Sequence, residues 1–503
     1  MSKNTFMNAL KKDSNITSTE NGGTSYKSTL NQVLDLFSLG GAYRNRTDDD
    51  CILLFKNAYG QNPDLATKCL FYLRDREQGQ GERRFFRVCY RWLAETHPNT
   101  ALINMDNVPD MGRWDDLMYS LEGTPLEPNM MNYIYQQFQE DLRSETPSLL
   151  AKWLPSCNAS SLETKRLGHK ICSNFNLTQR QYRKSLSLLR KRINIVERLM
   201  SENKWDDIDF SKLPSRAGLI YRNTFARRNE TSKRYKEFAQ DKSSKVNAKV
   251  LYPNDIAHRA FKAATYSYTS PERLMLQKYW DNLPDFYNGR EENAIAVVDV
   301  SGSMYGTPLE AAVSLGAYIA ERGKGPYANH FITFSDYPEL VEFKGIDIVD
   351  KFCRAAGANW RGSTNIEAVF DLLLNTAIKY HVAPQDMVSR LYILSDMEFN
   401  HCIDLGGNHT YWHYDTVTKE KINSDIEKIG QKWARYGYKI PQIVFWNLNA
   451  RHDLIPAIGE GFNYVSGFSP IMVENLLSGK SAYEIMIDKL VESGRYDNVK
   501  AHE

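Results

Sequence analysis

Long apolar runs are missing from this chain: no stretch of about 18 apolar residues occurs, so nothing in it reads as a membrane-spanning helix. The N-terminus also lacks the apolar core of a signal peptide, and a cytoplasmic protein is expected. Cysteine is sparse. The seven present (Cys51, Cys69, Cys89, Cys157, Cys172, Cys353, Cys402) are scattered without a C-x-x-C pair, which predicts reduced thiols rather than a disulfide framework. Excess charge is absent too, the formal balance being only +2, so any polyanion-binding surface must arise by local segregation. The signatures of common catalysts are missing as well. Gly323-Lys324-Gly325 is too short for a Walker loop, and Ser303 lacks a Gly-x-Ser-x-Gly setting. The chain is therefore not expected to be an enzyme.

What is present divides by periodicity. At 503 residues the chain is too long for one ordinary core, and two or three domains are expected. Residues 1–28 are rich in Ser, Thr, Asn and Lys and read as a flexible tail. Residues 29–290 carry apolar side chains at spacings of three and four, as in Leu65, Cys69, Leu70, Tyr72 and Leu73, or Phe85, Phe86, Cys89, Trp92 and Leu93. An all-helical array, solenoid-like but without a clean repeat, is predicted there. From residue 291 to 503 apolar strands alternate with helices. Strands are expected at 294–300, 330–335, 391–395, 442–448 and 463–465, with helices at 309–321, 366–380 and 424–437 between them. That alternation predicts an α/β region with a doubly wound, mostly parallel sheet.

Charge is segregated within the helical part. Residues 181–250 hold 18 Lys and Arg against 8 Asp and Glu, leaving 45 against 53 in the rest of the chain. Basic residues interleaved with aromatics can neutralise phosphates and stack on unpaired bases. Arg183, Lys184, Arg190, Lys191, Arg227 and Arg228 are the candidate phosphate contacts, and Tyr182 and Tyr221 the candidate stackers. Two plainer readings stand beside this one: a solvated helix face balancing acidic surface elsewhere, and core packing for the two tyrosines.

The most pointed motif is Asp299-Val300-Ser301-Gly302-Ser303, which follows the first apolar strand of the α/β region and precedes a helix. Oxygen-bearing side chains at alternate positions suit a hard divalent cation, which takes about six oxygen ligands. Two later loops supply more oxygen in suitable places: Gly362-Ser363-Thr364-Asn365 before a helix, and Ser395-Asp396 after a strand. A second cluster, His401, Cys402, His409 and His413, has types and spacings that could hold zinc, or could simply be loop residues.

Asp-x-Ser-x-Ser, a Thr in a second loop and an Asp after a later strand resemble the metal-ion-dependent adhesion site of von Willebrand factor A domains. The resemblance implies that Ser301, Ser303 and Thr364 ligate the ion directly or nearly so, and that Asp299 and Asp396 act largely through water. It implies Mg2+, with Mn2+ or Ca2+ as substitutes, and an open position for an acidic group from a protein partner. In the helical part, Tyr182-Arg183-Lys184, Lys204-Trp205-Asp206, Leu213-Pro214-Ser215-Arg216-Ala217 and Phe225-Ala226-Arg227-Arg228 resemble the TROVE module of Ro-type RNA-binding proteins. Those proteins join HEAT-like helices to an A domain. Phe71-Tyr72-Leu73-Arg74-Asp75 and Ile443-Val444-Phe445-Trp446-Asn447 are similar to a family of unassigned function with the same architecture. These resemblances imply binding of small structured or misfolded RNA; the alternative is a metal-dependent assembly scaffold that binds no RNA.

Overall fold

The computed structural model describes residues 14–193, 195–358, 364–399 and 425–502. It forms two compact units, interleaved along the chain. One holds residues 14–46, Tyr252–Thr265 and Asp285–Asp488; the other holds Thr47–Leu251, Tyr266–Pro284 and Lys489–Glu503.

The first unit opens with a small antiparallel hairpin, β1 (Ile16–Ser18) paired to β2 (Thr24–Tyr26). Its main sheet has six strands: β3 (Ala294–Val298), β4 (His330–Thr333), β5 (Leu340–Glu342), β6 (Arg390–Ser395), β7 (Gln442–Asn447) and β8 (Phe462–Ser466), in the order β5-β4-β3-β6-β7-β8. All neighbours are parallel except β4 and β5. Strands made of continuous apolar residues suit a sheet covered by other elements, and every residue of β6 is buried. Thr307–Arg322 packs closely enough on β3 that a Cβ at Gly316 would lie 2.5 Å from Val298 Cγ2. From β3 the chain moves to one side, to β4 and β5, then returns to β6 on the other. The carboxyl ends of β3 and β6 therefore flank the point where strand order reverses, the usual ligand crevice of such sheets.

The second unit is helical, and its elements begin where local chemistry says they should. Thr47 and Asp50 form a capping box at the start of Asp48–Gln61, and Asn62 caps Pro63–Arg74 with Pro63 in the first turn. In Arg83–Thr96 the buried Phe85, Phe86, Cys89, Tyr90 and Leu93 form one apolar face. A buried ion cluster ties this region together. Asp116, wholly buried, accepts from Arg74 Nε at 2.8 Å, Arg87 Nε at 2.7 Å and the Arg113 backbone N–H at 2.9 Å. The six described cysteines are free thiols.

Three expectations about domains need correction. Residues 14–28 are not a tail: the hairpin bonds to residues whose partners lie far along the chain, with Tyr26 N–H reaching the Ile455 carbonyl at 2.9 Å. Residues 253–262 belong with the sheet, where His258 Nδ1 meets Glu310 Oε1 at 2.8 Å. Residues 489–502 belong with the helices, because Arg495 Nε binds buried Asp75 at 2.9 Å. The expected strands appear, slightly trimmed or extended; β5 and the hairpin add to them.

Removing one member of a buried ion cluster strands the others in a poor solvent. Asp116→Ala is expected to destabilise the protein by about 3–5 kcal/mol, read as a lowered urea midpoint followed by helical circular dichroism.

Candidate functional site

β3 ends at Val298, and its last step delivers Asp299 into the crevice, its N–H donating to the Leu394 carbonyl at 3.0 Å. The Asp299 side chain is fully buried. Oδ1 accepts from the Ser301 N–H at 2.8 Å, and Oδ2 accepts from Ser395 Oγ, at the end of β6, at 2.6 Å. The turn this creates brings the Ser301 and Ser303 hydroxyls to 3.0 Å of each other. Asp396 is buried beside them. Its Oδ1 accepts from the Glu398 N–H at 3.2 Å, while Oδ2 is enclosed without a hydrogen-bond partner, Arg451 Nη2 standing 3.3 Å away. Thr364, also buried, donates from Oγ1 to the Glu398 carbonyl at 2.6 Å. The next residue, Asn365, caps the helix Ile366–Tyr380. Between Asp396 and Glu398 the backbone is forced into the left-handed region at Met397, φ +68°, an arrangement that non-glycine residues adopt only when surrounding bonds hold them. Ser395 Oγ, which accepts from the Met397 N–H at 3.1 Å, is one of those bonds.

The electrostatics follow from this crowding. Burial first, and the nearby Asp396 charge second, push the Asp299 carboxyl up to about 6. Burial also raises Asp396, against the opposing pull of the Ser303 hydroxyl and Arg451. Two buried carboxylates that disfavour each other's ionisation are a poor arrangement for the protein alone and a good one for a bound cation. Among the described residues no group of three His, Cys, Asp or Glu side chains is placed to hold a metal. A cation here would draw on two carboxylates and on hydroxyls. Of the five predicted ligands, Asp299 is bonded to the Ser301 N–H, the Ser301 and Ser303 hydroxyls face each other, and Asp396 and Thr364 both bond to the backbone of Glu398. Sequence reading placed Ser395 in an oxygen-supplying loop but missed Glu398, Arg451 and His452, although the last two follow β7 and so lie at a strand's carboxyl end. The His401, Cys402, His409 and His413 cluster lies outside the described residues, as do Gly362 and Ser363.

The predicted nucleic-acid residues fare differently. In Gln179–Ile193, Tyr182, Leu186 and Leu189 form the buried face, while Arg183, Lys184 and Lys191 are exposed. Arg227 is exposed as well. Tyr182 cannot stack on a base: it is fully buried against Phe138 and Phe175, and its hydroxyl donates to the Pro155 carbonyl at 3.0 Å. Arg190 is turned inward, donating to the Ala151 and Leu154 carbonyls, both at 2.8 Å, at the end of another helix. Tyr221 is half-buried and bonded to Glu197 at 3.2 Å. Arg228 is exposed but lies over the Trp205 ring, 4.5 Å from its centroid, and pairs with Glu230.

Residues 19–118 and 158–285 match the family model described as Domain of unknown function (DUF2828), and residues 293–502 match Domain of unknown function (DUF7788). An uncharacterized protein of Acanthamoeba polyphaga mimivirus is 30% identical over 511 residues, covering 93% of this chain and 85% of that protein. The chain belongs to that viral protein's family. Among solved structures, the crystal structure of the Deinococcus radiodurans RO (RSR) protein aligns with a TM-score of 0.48 at 13% identity, over 92% of this chain and 99% of that one. In this family member the DUF2828 match begins at Thr19, at the hairpin turn, and the DUF7788 match spans all five candidate ligands. No described helix is long and apolar enough to cross a membrane.

Tyr182→Phe should lower stability by about 1 kcal/mol, through loss of one buried hydrogen bond, and leave any RNA affinity unchanged in a filter-binding titration.

Proposed function

We propose that this chain is a non-enzymatic, cytoplasmic binding protein of Ro-like design. In this reading the sheet unit is a von Willebrand factor A domain with an adhesion-type Mg2+ site, and the helical unit is a HEAT-like, TROVE-like RNA-binding module. The observation that carries the reading is the pairing of buried Asp299 and Asp396 at the switch point, with the Ser301 and Ser303 hydroxyls between adjacent strand ends. Ser301, Ser303 and Thr364 would hold the ion directly, and Asp299 and Asp396 through water. Bound there, a divalent cation would neutralise the carboxylates and accept an acidic group from a protein partner.

RNA would meet the exposed basic positions Arg183, Lys184, Lys191 and Arg227, small structured or misfolded RNA being the expected class. The competing reading, a metal-dependent scaffold without RNA, is favoured by a specific observation: Tyr182 and Arg190 are committed to the fold rather than to a ligand surface.

Asp299→Ala should abolish Mg2+ and Mn2+ binding in calorimetry while the circular dichroism spectrum persists; unchanged affinity refutes the metal assignment. For the helical unit, Glu at positions 183, 184, 191 and 227 should weaken RNA binding and flatten the dependence of log K on log salt by roughly 3 units of slope, if all four meet single-stranded phosphates. Absence of RNA affinity in low salt would leave the scaffold.

A further inference from the structure

The mouth of the candidate cation site is covered by the chain's own N-terminal hairpin, within the same compact unit. The turn between β1 and β2 is Thr19-Glu20-Asn21-Gly22-Gly23, closed by a bond from the Thr19 N–H to the Gly23 carbonyl at 2.9 Å, with Gly22 at φ +84°. β2 is fastened at its far end, where Tyr26 and Ile455 exchange backbone bonds of 2.9 and 2.8 Å. Its tip makes a different kind of contact. Thr19 Oγ1 donates to the Phe399 carbonyl, and the Glu20 N–H donates to Glu398 Oε2 at 2.7 Å. Asn21 Nδ2 donates to the Glu398 carbonyl at 2.6 Å and to Thr364 Oγ1, one of the five candidate ligands, at 3.2 Å.

The Glu20 side chain, the acidic group at the tip, accepts from Arg451 Nη1 at 2.6 Å. The other arm of that guanidinium lies 3.3 Å from Asp396 Oδ2, the enclosed oxygen without a hydrogen bond. His452 stands alongside, its Nδ1 2.7 Å from Glu398 Oε1 and its Nε2 3.8 Å from Glu20 Oε1. Arg451 thus links the acidic tip to a carboxylate of the cation site. A packing role alone would not require this chemistry. Glu20 and Asn21 are exposed residues, and their side-chain contacts run to the groups a visiting acidic ligand would meet.

We propose that the mouth is a docking surface for an acidic turn, that Glu20-Asn21 is its resident occupant, and that cation binding and hairpin attachment oppose each other through Arg451. The proposal rests on the cation site described above. A divalent ion beside Asp396 repels the guanidinium that now faces it, and Arg451 withdrawn from Asp396 holds Glu20 less firmly. Coupling of this kind is reciprocal, so whatever holds the hairpin down weakens the ion, and the ion loosens the hairpin. An acidic partner then competes with Glu20 for a mouth the cation has already begun to free.

The test uses the full chain with Mn2+ alone as probe, in calorimetry and in hydrogen exchange of residues 14–28. Mn2+ is expected to speed exchange in the hairpin. Arg451→Met should bind Mn2+ about tenfold more tightly, within the usual range of coupling between sites, while Arg451→Lys stays near the wild type. Asn21→Ala should speed hairpin exchange without metal. Mn2+ that binds the wild type but slows or does not change exchange at 14–28, with Arg451→Met at wild-type affinity, overturns the proposal and leaves the cation site standing. Mn2+ that binds neither protein removes the cation site and the proposal together.

Discussion

Like charges buried side by side need something positive to answer them, and in the sheet unit that requirement organises much else. Asp299 and Asp396 end neighbouring parallel strands, so the backbone ladder that builds the sheet also brings their carboxyls together. The protein answers with hydroxyls, with backbone N–H groups and with one arginine at the rim. Each answer constrains local structure. Ser301 must follow in a tight turn, Met397 must accept a left-handed backbone, and Ser395 must spend its hydroxyl on Asp299 instead of on solvent. This strain and charge are gathered where the strand order reverses; the start of β6 carries a separate ion pair, Arg390 with Glu292.

The helical unit resolves its charges in the opposite manner. Arg74, Arg87 and Arg113 surround the buried Asp115 and Asp116, so cations and anions neutralise each other inside the fold. Within the basic segment, Arg190 and Arg192 satisfy carbonyls at the ends of other helices, the latter reaching Leu142 and Ser144 at 2.8 and 3.0 Å. Arg234 reaches the carbonyl of Ile208, in a loop, at 3.1 Å. A segment can be rich in arginine because helix ends need donors, and what remains for a polyanion is the smaller set on the outer face.

That distinction explains how far the sequence could be read. β6 and β7 were legible because strands buried on both faces are apolar without interruption, and the Asp-x-Ser-x-Ser loop was legible because its donors are close in sequence. β5 is three residues long with an exposed-half-buried-exposed pattern, which no periodicity marks as a strand. The hairpin is written in Ser, Thr, Asn and Gly and is held by Glu398, Phe399 and Ile455, partners that a local window never contains. Tyr182 carried a usable signal: with Leu186 and Leu189 it falls at i, i+4 and i+7, the spacing of a core face. Arg190 carried none, since nothing in sequence shows which carbonyls a folded chain leaves unsatisfied.

The bond from Ser25 Oγ to the Ile455 carbonyl spans 430 residues, which has a meaning in time as well as in space. At a synthesis rate of roughly 5–20 residues per second, the hairpin leaves the ribosome some 20–90 s before the strand region it docks on. Until then its turn has only its own internal bonds and water for partners. The sheet unit, though begun first, is completed almost last. The helical unit can gather most of its chain while the older segment is still unattached.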